Sequence, residues 1–168
     1  MTNSVDLHFA ETYRELRKLA RLRLRAGRRD TLIDTTALVH ESYLRLAAGG
    51  HLQLKDRAHF LSYAGRAMRS VIVDLVRRRQ AWRHGGAGLR VTLDPQIAAA
   101  TAGEREILRV HEALQDLAKL DPRMVQIVEM RYLAGMTETE VAGALSIADR
   151  TVRREWEKAR LWLSQALG

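Results

Sequence analysis

TETEVAGALSIADRTVRREWEKARLWL, from Thr137 to Leu163, reads as two helices joined by a short turn, the second of them basic. Thr137 followed by Glu140 is a capping box: each side chain can satisfy an otherwise unpaired amide of the first turn, so a helix starts there. Val141, Ala142 and Leu145 give it one apolar face, and the chain breaks at Ser146 to Asp149. Val152, Trp156, Ala159 and Leu163 then recur at steps of four, three and four, which places them on one side of a second helix. Arg150, Arg153, Arg154, Glu157 and Lys158 fall on the rest of its surface, and Asp149 is its expected cap. A short helix set across a longer one by such a turn is how many proteins present a recognition helix to the major groove of DNA.

Amphipathic helix pairs with solvated arginine faces also occur in helical proteins that never meet DNA, so the pattern alone leaves both readings open. Charge placement favours DNA. From Glu104 to Asp149 there are five Lys or Arg against nine Asp or Glu, whereas Arg150 to Arg160 holds five against two. Cations so placed release counterions from phosphates, and arginine also reads guanine edges.

Working outward, apolar residues recur at helical spacing along almost the whole chain, which holds only two prolines, Pro95 and Pro122. The expected fold is all-α: two small helical domains joined by a flexible linker, the second a four-helix domain ending in the helix-turn-helix. The first domain spans 1–84, with helices over about Asp6 to Leu24, Thr35 to Ala47, and a long third one whose stripe is Phe60, Leu61, Ala64, Met68, Val71, Ile72 and Leu75. Residues 85–103 are rich in Gly and Ala without an apolar period and read as the linker, with a short extended piece at Val91 to Leu93. The second domain, 104–168, opens with a helix bearing Ile107, Val110, Leu114 and Leu117, is broken at Leu120-Asp121-Pro122, and continues as a helix from Arg123 to Leu133.

Residues 1–84 carry 17 basic against 8 acidic side chains, and 104–168 carry 10 against 11, so the first domain is also expected to meet a polyanion. Its third helix gathers Arg66, Arg69, Arg77, Arg78, Arg79 and Arg83 beside Trp82, the mixture of cation and aromatic that grips nucleic acid by phosphate contact and stacking. The plainer alternative is a solvated helix end whose cations complement the dipole, with Trp82 packed on the bundle.

Composition excludes several classes. The chain has 168 residues, a formal net charge of +8 and no cysteine, so it has no disulfide, thiolate nucleophile or sulfur-based zinc site. No run approaches a membrane span, and MTNSVDLHF lacks the marks of a signal peptide, which makes the cytoplasm the expected compartment. His40 and Glu41 lack the second histidine of a zinc motif, since position 44 is Leu44, and no phosphate-binding glycine loop or nucleophile elbow occurs. No catalytic residue, metal site or cofactor is expected.

The segments TALVHESYLRL, HFLSYAGRAMRSVIVDLVRRR and LDPRMVQIVEMRYLAGMTETEVAGALSIADRTVRREWEKARLWL, in that order, closely resemble bacterial extracytoplasmic-function (ECF) sigma factors, an ECF-like subgroup of the sigma-70 family. The resemblance covers nearly the whole chain. It implies that the first domain binds the minus-10 promoter element and core RNA polymerase, that the second binds the minus-35 element, and that the linker threads the polymerase cleft. It further implies that Asp34, Leu38, Val39, Glu41, Ser42 and Arg45 meet the clamp helices of the largest polymerase subunit, with the flap of the second largest as another contact. The loop from Ala48 to Arg57, with His51, Lys55 and Arg57, resembles the one that captures a flipped minus-10 base. Arg66, Ser70, Asp74, Arg77 and Arg78 would follow the opened strand. Arg150, Arg153, Arg154, Glu157 and Lys158 would face the minus-35 groove, with Arg131, Glu138 and Thr139 on the adjacent backbone.

Three departures from the family pattern are expected. The resemblance leads one to expect most of the short opening helix to be lacking; Ser146 and Ala148 replace the Gly and Ser of the turn, and the acidic run before the LVHE segment is here Asp34, Thr35, Thr36, Ala37. Phosphorylation of Thr36 would restore about −1.5 to −2 of charge there; the alternative is that Thr36 caps the second helix. Equal binding of core polymerase by Thr36→Asp and Thr36→Ala would contradict such a switch. An anti-sigma protein or a Ser/Thr kinase is a candidate controller, and no membrane partner is expected. The expected function is a sigma subunit that binds core polymerase, directs it to promoters and assists opening; the alternative is a stand-alone helix-turn-helix regulator whose first domain senses a ligand or dimerises.

Overall fold

The computed structural model describes residues 4–25, 33–49, 54, 56–85 and 95–168. Every element among the described residues is helical: α1 (Ser4–Arg25), α2 (Thr35–Ala48), α3 (Arg57–Gly85), α4 (Pro95–Leu120), α5 (Pro122–Val128) running into a π-helical turn (Glu129–Leu133), α6 (Glu138–Leu145) and α7 (Asp149–Leu167).

The first three helices bury one another's stripes: Leu16, Ala20 and Leu24 of α1, Leu38, Val39 and Leu46 of α2, and Phe60, Leu61, Ala64 and Met68 of α3. Burying each such leucine is worth about 1.5–3 kcal/mol relative to leaving it exposed. Further along α3 the consecutive residues Val71, Ile72 and Val73 are all buried. A helix apolar on more than one side has to be covered on more than one side. Here α1 and α2 cover one side, while α4, the π turn and α6 pack against α3 as well. Ile107, Ile127, Met130, Ala134, Met136, Val141, Ala142 and Val152 accordingly join the core of the first three helices in one cluster. A second, smaller core of Leu114, Leu117, Val125, Val128 and Ala159 ties α4, α5 and α7 together.

Three local expectations need correction. The cap of α2 is Asp34 and not Thr36: its carboxylate accepts from the amides of Thr36 and Ala37 at 2.9 and 3.0 Å, leaving Thr36 half-exposed inside the first turn. Helix α4 starts at Pro95 and not near Glu104. Proline suits a first turn, where its missing N–H has no partner to lose, and the Ala-rich run that follows has high helix propensity despite lacking an apolar period. The helix expected over Arg123 to Leu133 is α5 plus the π turn, closed by the Ala134 amide donating to the Glu129 carbonyl at 3.0 Å. Val91 to Leu93 lie outside the described residues.

Candidate nucleic-acid interface

The capping box of α6 forms as its residues dictate: the Glu140 amide donates to Thr137 Oγ1 at 3.2 Å, and the Thr137 amide donates to the Glu140 carboxylate at 2.7 Å. At the other end Ser146 adopts the left-handed conformation (φ 54, ψ 44). The Ile147 amide reaches back to the Ala142 carbonyl at 3.0 Å and the Ser146 amide to the Gly143 carbonyl at 3.3 Å, the paired bonds of a Schellman turn. Helix α7 then starts after Ala148, which has no side-chain cap bond. The expected cap, Asp149, is instead the first helical residue, following the extended backbone of Ala148, and its carboxylate accepts from the Thr139 hydroxyl at 2.9 Å.

Val152 and Ala159 of α7 are buried and Trp156 is half-buried, as their spacing requires. Arg150, Arg153, Arg154, Glu157 and Lys158 are all exposed. Glu138 and Thr139 are brought to this helix but turn toward it: Glu138 accepts from Arg153 at 3.0 and 3.2 Å and lies 3.9 Å from Arg131. Arg131 itself is only 25% exposed, with its guanidinium 5.4 Å from the centre of the Trp156 ring. These three residues set the angle between α6 and α7. Pattern reading overlooked Glu155, a buried carboxylate that accepts from Arg154 at 3.1 Å and lies near Arg123 and Lys158. Its position three residues after Val152 and four before Ala159, in register with the apolar stripe, was the available signal.

The basic end of α3 separates into two groups. Arg77 and Arg78 are exposed, and Trp82 is 84% exposed, which overturns its packing on the bundle. Arg78 and Trp82, four apart, stand one above the other on the outward face. Arg66 and Arg69 instead reach Glu129, and Arg79 and Arg83 reach Glu104. Burial pulls the Arg69 guanidinium below the usual arginine range, an effect Glu129 opposes and Arg66 adds to. Ser70 and Asp74 both accept from Arg45, at 2.6 and 2.7 Å, so three residues assigned to two different contacts form one bridge between α2 and α3. Arg57 pairs with Glu15 of α1. His51 and Lys55 lie outside the described residues.

On α2, the side chains of Leu38, Val39 and Ser42 are buried in the core, with Ser42 Oγ donating to the Leu38 carbonyl at 2.7 Å, so they hold the helix and cannot offer side chains to a partner. Its outward face comprises His40, Glu41, Leu44 and Ala48, the last three at steps of three and four. Leu44, which was not among the expected contacts, is 56% exposed there.

A model of the ECF sigma factor family matches residues 3–168. The chain belongs to the ECF sigma factor family. Its role is therefore that of a sigma factor in transcription initiation, a regulator's role and not an enzyme's. Searches of curated proteins and of solved structures gave no match to this sigma factor. No helix among its described residues is long and apolar enough to cross a membrane.

Proposed function

We propose that this sigma factor docks on core RNA polymerase, directs it to a two-part promoter and assists opening of the start site. The observation that carries this reading is that one chain holds two separate outward cationic faces, Arg150, Arg153, Arg154 and Lys158 on α7, and Arg77 and Arg78 with Trp82 on α3. In this reading α7 lies in the major groove of the minus-35 element, where its arginines read base edges. The end of α3 follows the opened minus-10 strand, with Trp82 as a stacking platform for an unpaired base. Glu41 and Leu44 of α2 face the clamp helices, flanked by Asp34. The flap contact fits the apolar groove of about 420 Å³ between α4, α5 and α7, lined by Val110, Leu114, Val128, Trp156, Leu161 and Leu163.

Base–aromatic stacking contributes about 1–3 kcal/mol per base. Trp82→Ala is therefore expected to lower transcription from a fully duplex promoter about tenfold, while a template carrying a pre-opened mismatch bubble restores most of it. Equal loss on both templates would place Trp82 outside promoter opening.

A further inference from the structure

Four arginines of α3 turn toward the second half of the chain and end on two carboxylates, Glu104 and Glu129, each only 3% exposed. Glu129, in the π turn, takes Arg66 Nε and, at 2.6 Å, Arg69 Nη2. Glu104, in α4, takes Arg83 Nη2 and lies 3.6 Å from Arg79 Nη1. Arg66 and Arg69 are three apart and Arg79 and Arg83 four apart, so each carboxylate is clamped by one turn of α3. A guanidinium fork closes on a carboxylate and on a phosphate with the same geometry. We propose that Glu104 and Glu129 are an internal latch: with the chain's own carboxylates they fill arginines that would otherwise grip nucleic-acid phosphates, and they hold the two halves together until a partner parts them. The proposal rests on α3 being a nucleic-acid-binding helix.

The seam around the latch is close but incomplete. A methyl group on Gly65 would come within 3.0 Å of the Leu133 carbonyl carbon and 3.1 Å of its oxygen, so α3 and the π turn touch backbone to side-chain position with no room to spare. Arg23 of α1 lies 5.0 Å over the Tyr132 ring and donates to the Tyr132 carbonyl. Beside these contacts sits a cavity of about 140 Å³ lined by Arg69, Ile72, Ile107, His111 and Leu133. Arg69 Nη1 and His111 Nδ1 are buried without a hydrogen-bond partner among the described residues. Buried polar atoms left unpaired are rare in a finished core. Their presence on the wall between the halves marks this part of the seam as imperfectly closed. Parting the halves uncovers Ile107 and Leu133, so while the latch is intact the closed form is favoured unless a partner takes the released surfaces.

The chain has no cysteine, so Leu44→Cys and Leu161→Cys, at exposed sites on α2 and α7, supply a unique pair of fluorescent labels. The free full-length protein is compared with Glu104→Gln/Glu129→Gln by label-to-label distance and by affinity for a single-stranded DNA oligonucleotide. The latch predicts a longer distance and affinity raised at least about tenfold. Gly65→Ala, which wedges the seam without altering charge, moves both readouts the same way and decides the matter if the double variant does not fold. Glu112→Gln/Asp116→Asn, removing two exposed carboxylates of α4 away from the latch, stays within about twofold. An unchanged distance, a longer distance without tighter binding, or an equal gain in that control overturns the proposal. The parent chain is run with core polymerase in parallel: a promoter-specific transcript beside any of those results removes the latch alone, whereas no transcript and no DNA binding by any form removes the reading of α3 and the latch with it.

Discussion

Ser146 holds the left-handed conformation on which the turn between α6 and α7 depends, and among the described residues no other non-glycine has a positive φ. A side chain there costs about 1–2 kcal/mol, part of which glycine would return as lost entropy in the unfolded chain, about 0.5–1 kcal/mol. Ser146→Gly is therefore expected to stabilise the protein by about 0.5 kcal/mol, read as a higher midpoint in urea; a lower midpoint would show that the serine side chain does something at the turn. His111 makes a second prediction at this scale. Burial first, then Arg69 and Arg77, lower its pKa from 6.5, against the opposing pull of Glu112 and Asp74. The unfolded chain thus takes up its proton at higher pH than the folded one. The folded state keeps its full stability above the ordinary histidine pKa and loses it as pH falls from there toward the lowered value. Between about pH 7.5 and 5.5, the urea midpoint should fall in the parent and fall less in His111→Gln; parallel curves would contradict the assignment.

At the scale of elements, the proposed function divides the side chains of α7 and its neighbours into groups that read and groups that position. Arg154 is exposed, and the buried carboxylate of Glu155 that it meets is also approached by Arg123 and Lys158, so Glu155 keeps cationic neighbours when Arg154 turns to DNA. Arg154→Ala should relax minus-35 preference at one base pair, by about 1–3 kcal/mol, in binding assays across promoter variants. Arg131, tied to Glu138 and Trp156, should on change to alanine weaken binding to every sequence alike and lower thermal stability. Sequence-independent effects of both would contradict the division. Helices α1, α2, α3, α6 and α7 were legible because their apolar stripes and the Thr137–Glu140 box are local signals. The start of α4 at Pro95 was not, since an alanine run is helical without being periodic. Neither was the π turn, which is selected by packing against α3. Of the candidate site, the exposed cations of α7 and the end of α3 could be read from spacing. The inward turn of Arg66, Arg69, Arg79 and Arg83 could not, because their carboxylates lie 21 to 63 residues away along the chain.

For the whole molecule, the separation of two basic surfaces along one chain is what distinguishes a subunit that spans a promoter from a regulator that reads one groove. The first half contributes α2 and α3, the second contributes α7, and a core running through both holds them in one body. If both surfaces engage a two-part promoter as proposed, that body parts or pivots to do so. In the proposed function polymerase supplies the energy, by binding the outward face of α2 and the groove between α4, α5 and α7. The most direct test is transcription in vitro from a library of two-part promoters, using purified core polymerase with and without this protein. Core binding and a transcript that depends on both the minus-10 and minus-35 elements are expected; absence of core binding together with absence of any promoter-specific transcript would contradict the proposed role.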